Sequence, residues 1–129
     1  MDYVDDGEFL FRAIHPNTPT TIFIKEDGSP TSAILKDSHG VSVDRDGKRN
    51  DKDVMSFFCK VQRDIGNTKV YSKFLKVPTK VVRENECDAQ PDPTENNLYH
   101  ALILQNGGGE IKRKAAKKIV NQSTVLDNP

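Results

Sequence analysis

Apolar residues fall along this chain in two rhythms. Between 51 and 65 they recur at Val54, Phe57, Phe58, Val61 and Ile65, the i, i+3, i+4, i+7 spacing of a helix with one buried face. Asn50 or Asp51 stands where an N-terminal cap belongs, and Gly66-Asn67 where the helix should stop. A second helix is predicted over 110–120, with Ile111, Ala115, Ile119 and Val120 on one side and cations on the other. Elsewhere the apolar runs are too short for helices. Residues 9–14 (FLFRAI), 20–25 (TTIFIK), 69–77, 79–83 and 98–104 (LYHALIL) predict strands, being short and mostly rich in β-branched or aromatic residues.

The stretch 27–50 differs from both. Two small apolar beads, Ala33-Ile34-Leu35 and Val41-Ser42-Val43, are embedded in hydroxyls, charges and glycines. They read as two extended pieces, 31–36 and 41–45, turning at Ser38-His39-Gly40 and presenting a polar surface of the kind on which binding or chemistry sits. Residues 85–97, with Pro91-Asp92-Pro93, predict a long polar loop, and 123–129 a frayed tail. The fold expected is α+β: a small mixed or antiparallel sheet of five to seven short strands with two helices packed on one side. Residues 1–122 then form a single domain.

Composition narrows the choice of function. With 129 residues and 35% hydrophobic positions, the chain can bury a core without staples but carries a polar excess. Lys plus Arg number 19, as do Asp plus Glu, so no global field draws it to nucleic acid or anionic lipid. The acidic start MDYVDDGEF lacks the basic and apolar regions of a signal peptide, and no run is long enough to span a bilayer. A cytoplasmic location without membrane contact is expected. Cys59 and Cys87 are expected to be free thiols, Cys59 buried among apolar neighbours. The two cysteines and three histidines lack metal-ligand spacing, and 44–53 lacks the order of a calcium loop. Neither metal nor cofactor is expected. Asn106-Gly107-Gly108-Gly109 has no phosphate-loop pattern and reads as a flexible connection.

Candidate chemistry rests on scattered polar residues. His100 interrupts an apolar run, where packing holds its ring and a carboxylate (Asp44, Asp88 or Asp92) could tune it as acid or base. The competing reading is a core histidine bonded to a loop carbonyl. Arg12 places a cation on a short apolar strand, where it can reach an anion or pair with an aspartate of the central segment. Ser42 and Asp44 alternate with Val41 and Val43, so both would share one face of a strand. On the C-terminal helix Lys114, Lys117 and Lys118 fall on one side and could grip phosphates, though no aromatic residue interleaves them.

Three segments, FRAIHP (11–16), DGSPTSAILKDSHGVSVDR (27–45) and DPTENNLYHALI (92–103), together resemble small uncharacterised bacterial proteins of similar length. The resemblance implies that Arg12, Ser32, Ser42, Asp44, Asn97 and His100 belong to a shared pattern, and it suggests an accessory of a toxin or phage-defence system. The leading expectation is a non-enzymatic binding module. It would recognise a protein partner or a small anionic ligand through a polar pocket that includes Arg12, Ser32, Lys36, Ser42, Arg45, Asn97 and His100. The alternative is a small enzyme acting on a nucleotide or phosphodiester, with His100 as acid or base, Arg12 on the anion, and Ser42 and Asp44 in support. A third is a nucleic-acid-binding accessory acting through residues 112–118.

Overall fold

The computed structural model describes residues 3–128. Among them, six antiparallel strands form one sheet in the order β4-β5-β2-β1-β3-β6. The strands are β1 (Phe9–Ala13), β2 (Val41–Arg45), β3 (Lys73–Pro78), β4 (Cys87–Pro91), β5 (His100–Gln105) and β6 (Thr124–Asp127), and the helices are α1 (Asp51–Asp64), α2 (Thr79–Glu84) and α3 (Arg113–Asn121). The fold is α+β, as the alternation of patterns implied. No helix is long and apolar enough to cross a membrane.

The period-two alternation of the central strands builds two cores, one on each face. Leu10, Val41, Val43, Leu75, Val77 and Ile103 point to one face, where α3 covers them with Ala115, Ala116, Ile119 and Val120. Phe11, Ala13 and Phe74 point to the other, against Val54, Met55 and Phe58 of α1. The expectation that both helices share one side is corrected here. Leu10 and Phe11 are consecutive, both buried, and each needs its own cover, so the sheet is sandwiched.

Other local expectations also change. Residues 20–25 form no strand beyond the bridge Ile24–Pro30. Asn17 explains this: its side chain accepts from the Phe23 and Ile24 amides and donates to the Ile24 carbonyl, holding these groups in a loop. Residues 32–35 are a 3-10 turn rather than a strand. Residues 79–84 are helical, because Pro78 ends β3 and Thr79 opens the next turn. The loop expected over 85–97 contains β4, paired with β5 from Cys87–Gln105 to Pro91–Ala101. The tail expected to fray pairs with β3 as β6, and Asn128 is anchored by donating to the Tyr71 carbonyl at 2.9 Å.

Two joints fix the start of α1 against the sheet. Asn50 caps α1, its side chain accepting from the Asp53 amide at 2.9 Å. Before it, Gly47 (φ 55°) turns tightly enough that a Cβ there would clash with the Tyr99 ring. The close approach lets Tyr99 lie under the Arg49 guanidinium, 3.7 Å from its centroid, which ties the loop before β5 to the start of α1.

Candidate functional site

Strands β1 and β2 are registered only at Leu10–Arg45 and Phe11–Asp44. Beyond that point Arg12 bridges to the second strand through its side chain. Its Nε donates to the Ile34 carbonyl at 3.3 Å and its Nη1 to the Ser42 carbonyl at 3.0 Å. A cavity of about 460 Å³ lies here between the sheet and α1. Arg12, Ser42, Asp44, Asn97 and His100 line it from the sheet and the loop before β5. Phe58 and Val61 line it from α1 and Ile65 from just past its end, with Tyr71 beside them. Four residues singled out from the sequence as chemical candidates thus border one space, although 88 positions separate Arg12 from His100.

Asp44 is the least ordinary of them. It is 1% exposed. Its Oδ1 accepts from Asn97 Nδ2 at 3.1 Å, while Oδ2 is buried with no hydrogen-bond partner among the described residues. Burial raises its pKa above the ordinary 3.8; the Asn97 bond and the nearby charges of His100 and Arg49 pull the other way without cancelling it. An unmet buried carboxylate oxygen costs more than an unmet neutral acceptor. Asn97, itself 5% exposed, is held for the contact by its own loop. Its amide donates to Thr94 Oγ1 at 3.0 Å, and its Oδ1 accepts from the Tyr99 amide at 2.9 Å.

His100 stands directly opposite Asp44 in the β2–β5 register. Its Nδ1 lies 3.1 Å from Asp92 Oδ2 and 2.9 Å from the Asp92 carbonyl oxygen. A loop carbonyl and a carboxylate, the two kinds of partner considered for this ring, meet the same nitrogen. Asp92 approaches from the β4 side, so Nε2 faces away from it, and the ring is fixed in orientation. Ser42 shares the face of Asp44, but its hydroxyl makes no hydrogen bond among the described residues.

Arg12 does not make the pair with a central-segment aspartate that its sequence context allowed. Among the described residues no carboxylate lies within ion-pair distance, and the two carbonyls take its place. Burial lowers its pKa, with Asp37 and Tyr71 opposing from farther off. His15 adds a ring at the same end, 5.6 Å from the Tyr71 centroid in an edge-on arrangement. Burial and the neighbouring Lys69 and Arg12 lower its pKa, which favours a neutral imidazole.

Not every candidate belongs to this cavity. Arg45 points to the opposite face, 3% exposed, where its Nη2 donates to Glu8 Oε2 at 2.8 Å and to the Tyr3 carbonyl at 2.8 Å. Ser32 and Lys36 line a separate hollow beside α3 with Glu110 and Arg113. The alternation rule explains Arg45, since the residue after a cavity-facing Asp44 must face away. The 3-10 turn explains the other two. Lys114, Lys117 and Lys118 stand exposed on α3, far in the fold from the α1 face. The cysteines exchange roles: Cys87 is buried, with burial pushing its thiol up to about 11, while Cys59 is half-buried on α1, and both are free. Among the described residues no group of three His, Cys, Asp or Glu is arranged to hold a metal ion.

Sequence reasoning passed over His15, Tyr71 and Gln62, which also border the cavity. His15 was visible only as a residue before proline. Tyr71 lay inside a predicted strand, although it precedes β3 and packs between the His15 and Phe58 rings.

A scan against protein-family models, a search of curated proteins and a search of solved structures found no match to this chain. The site therefore has to be read from its own geometry.

Proposed function

We propose that this chain is a binding module that takes a small polar ligand into the cavity between the sheet and α1. The observation behind this reading is a buried carboxylate and a half-buried guanidinium, of opposite sign, that border the same cavity from adjacent strands. Asp44 keeps an unpartnered carboxylate oxygen, and Arg12 has no carboxylate within ion-pair distance among the described residues. Charges buried for structural reasons are normally paired. These two instead border an open space, where a ligand carrying a donor and an anion would complete both. A screen of small polar metabolites against the isotope-labelled chain tests this. Binding should move the backbone amides of Ser42, Asp44, Asn97 and His100. A screen carried to millimolar concentration that leaves all four unmoved overturns the reading.

One observation favours a second reading, in which the chain is a small enzyme acting on a nucleotide or phosphodiester. The Asp92–His100 contact is the kind that orients a general base. His100→Ala separates the two. In the enzyme reading turnover disappears while the fold survives; in the binding reading affinity changes and there is no turnover to lose. The wider assignment to a bacterial toxin or phage-defence system, and with it a protein partner, rests on the resemblance of the three segments alone.

A further inference from the structure

We infer, resting on the binding reading above, that the cavity takes a nucleoside monophosphate whose base carries an exocyclic amine, the amine donating to Asp44 Oδ2 and the phosphate held by Arg12. Four features of the wall lead there. The acceptor without a partner sits deep, on a residue 1% exposed, and can be completed only by a donor such as N–H or O–H. The guanidinium stands at the Ser42 carbonyl. Asp44 lies two residues further along the same strand, a step of about 7 Å. An amino acid engaging through its α-ammonium and carboxylate, both on one carbon, cannot reach both ends; a nucleotide separates amine from phosphate by a whole base and sugar.

The cavity is also lined by apolar side chains. Phe58 and Tyr71 meet edge to face at 5.4 Å, and Val61 and Ile65 extend the surface. Such a wall suits the face of a base. A simple polyamine or a sugar phosphate would leave it uncovered. The volume of about 460 Å³ falls within the range of pockets that enclose ligands of this size. His15 stands beside Arg12 as a second donor for a phosphate oxygen. The amide of Asn97 already occupies Asp44 Oδ1, so one oxygen is left for one N–H.

The test changes the ligand first, since that cannot unfold the protein. Calorimetry on the full chain would compare AMP, CMP and GMP with purine riboside 5′-monophosphate, which lacks the amine, and with adenosine, which lacks the phosphate. At least one amine-bearing nucleotide should bind and shift the Asp44 and Asn97 amides. For AMP, loss of either group should weaken binding about tenfold or more, the usual cost of a hydrogen bond to a charged partner. In Asp44→Asn, an isosteric change, AMP and its desamino analogue should bind alike. Equal binding of those two ligands to the native chain overturns the amine contact, and equal binding of AMP and adenosine overturns the phosphate contact. Failure of all three nucleotides at millimolar concentration, while another screened metabolite moves the same amides, overturns the nucleotide class and leaves the binding reading standing. Failure of every compound overturns both.

Discussion

Asp44 and Arg45 are consecutive residues of β2, both almost wholly buried, and they meet opposite fates. Arg45 turns to the α3 face and is completed: Glu8 receives two of its N–H groups, at 3.1 and 2.8 Å, and the Tyr3 carbonyl a third at 2.8 Å. Asp44 turns to the α1 face and is half completed, with one oxygen on Asn97 and the other on nothing. The α3 face is closed by apolar packing, and its buried charge belongs to the scaffold. The α1 face keeps a cavity, and its buried charge borders that space. Burial alone therefore does not mark a functional charge; burial without a partner beside open volume does.

Substitutions on the two faces should differ in size and in sign. The largest loss is expected from the core of the α1 face: Phe74→Ala, at a residue 0% exposed, should cost about 4 kcal/mol in urea unfolding. A loss below about 1 kcal/mol would mean that the α1 face is loosely packed throughout. Glu8→Ala should follow at about 3 kcal/mol, because it strands the Arg45 charge inside. Asp44→Asn should cost nothing, or stabilise by about 1 kcal/mol, because it removes a charge that lacks a partner. A loss as large as that of Glu8→Ala would erase the contrast between the neighbours. Reversing Lys114, Lys117 and Lys118 together should change stability by less than about 1 kcal/mol, as for solvated side chains at a helix end.

Acidity sharpens the same contrast. Burial works against the Glu8 carboxylate, but the Arg45 hydrogen bond and charge, the Asp5 amide and the Arg83 charge together outweigh it and hold the pKa below the ordinary 4.5. The stability Glu8 contributes is thus present above that value and lost as pH falls through the lowered pKa. Asp44 has the opposite sign. Its pKa is raised above 3.8, so the folded chain binds the extra proton, and Asp44's contribution falls as pH rises through that window. Unfolding measured from pH 3 to pH 7 should show Asp44→Asn losing this decline and Glu8→Gln losing the acid-side drop. Parallel profiles for the two variants would contradict the assignment.

The sequence carried α1, α3 and the central strands because their apolar spacing is regular, whereas it presented the six-residue α2 as a strand. It missed β4 and β6 because neither displays a buried face of its own: Cys87–Pro91 reads CDAQP and Thr124–Asp127 reads TVLD. Each becomes a strand by pairing with a stronger neighbour, which local propensity does not register. The loop at 20–25 errs the other way, β-branched residues being overruled by a single asparagine. At the site, strand alternation was enough to put Ser42 and Asp44 on one face, and the same rule should have removed Arg45 from the candidates. The orphaned oxygen could not be read beforehand. It depends on the parting of β1 and β2 and on a loop that spends Asn97 on the other oxygen.

The measurement that bears most directly on this reading is the titration of the Asp44 side-chain carboxyl, followed by its carbon resonance in the free chain and in the presence of saturating AMP. The midpoint should lie above the ordinary aspartate value in the free chain and move down when the nucleotide donates to the charged oxygen. A midpoint at or below the ordinary value, unmoved by ligand, would mean that Asp44 is already satisfied and that the cavity holds no incomplete charge.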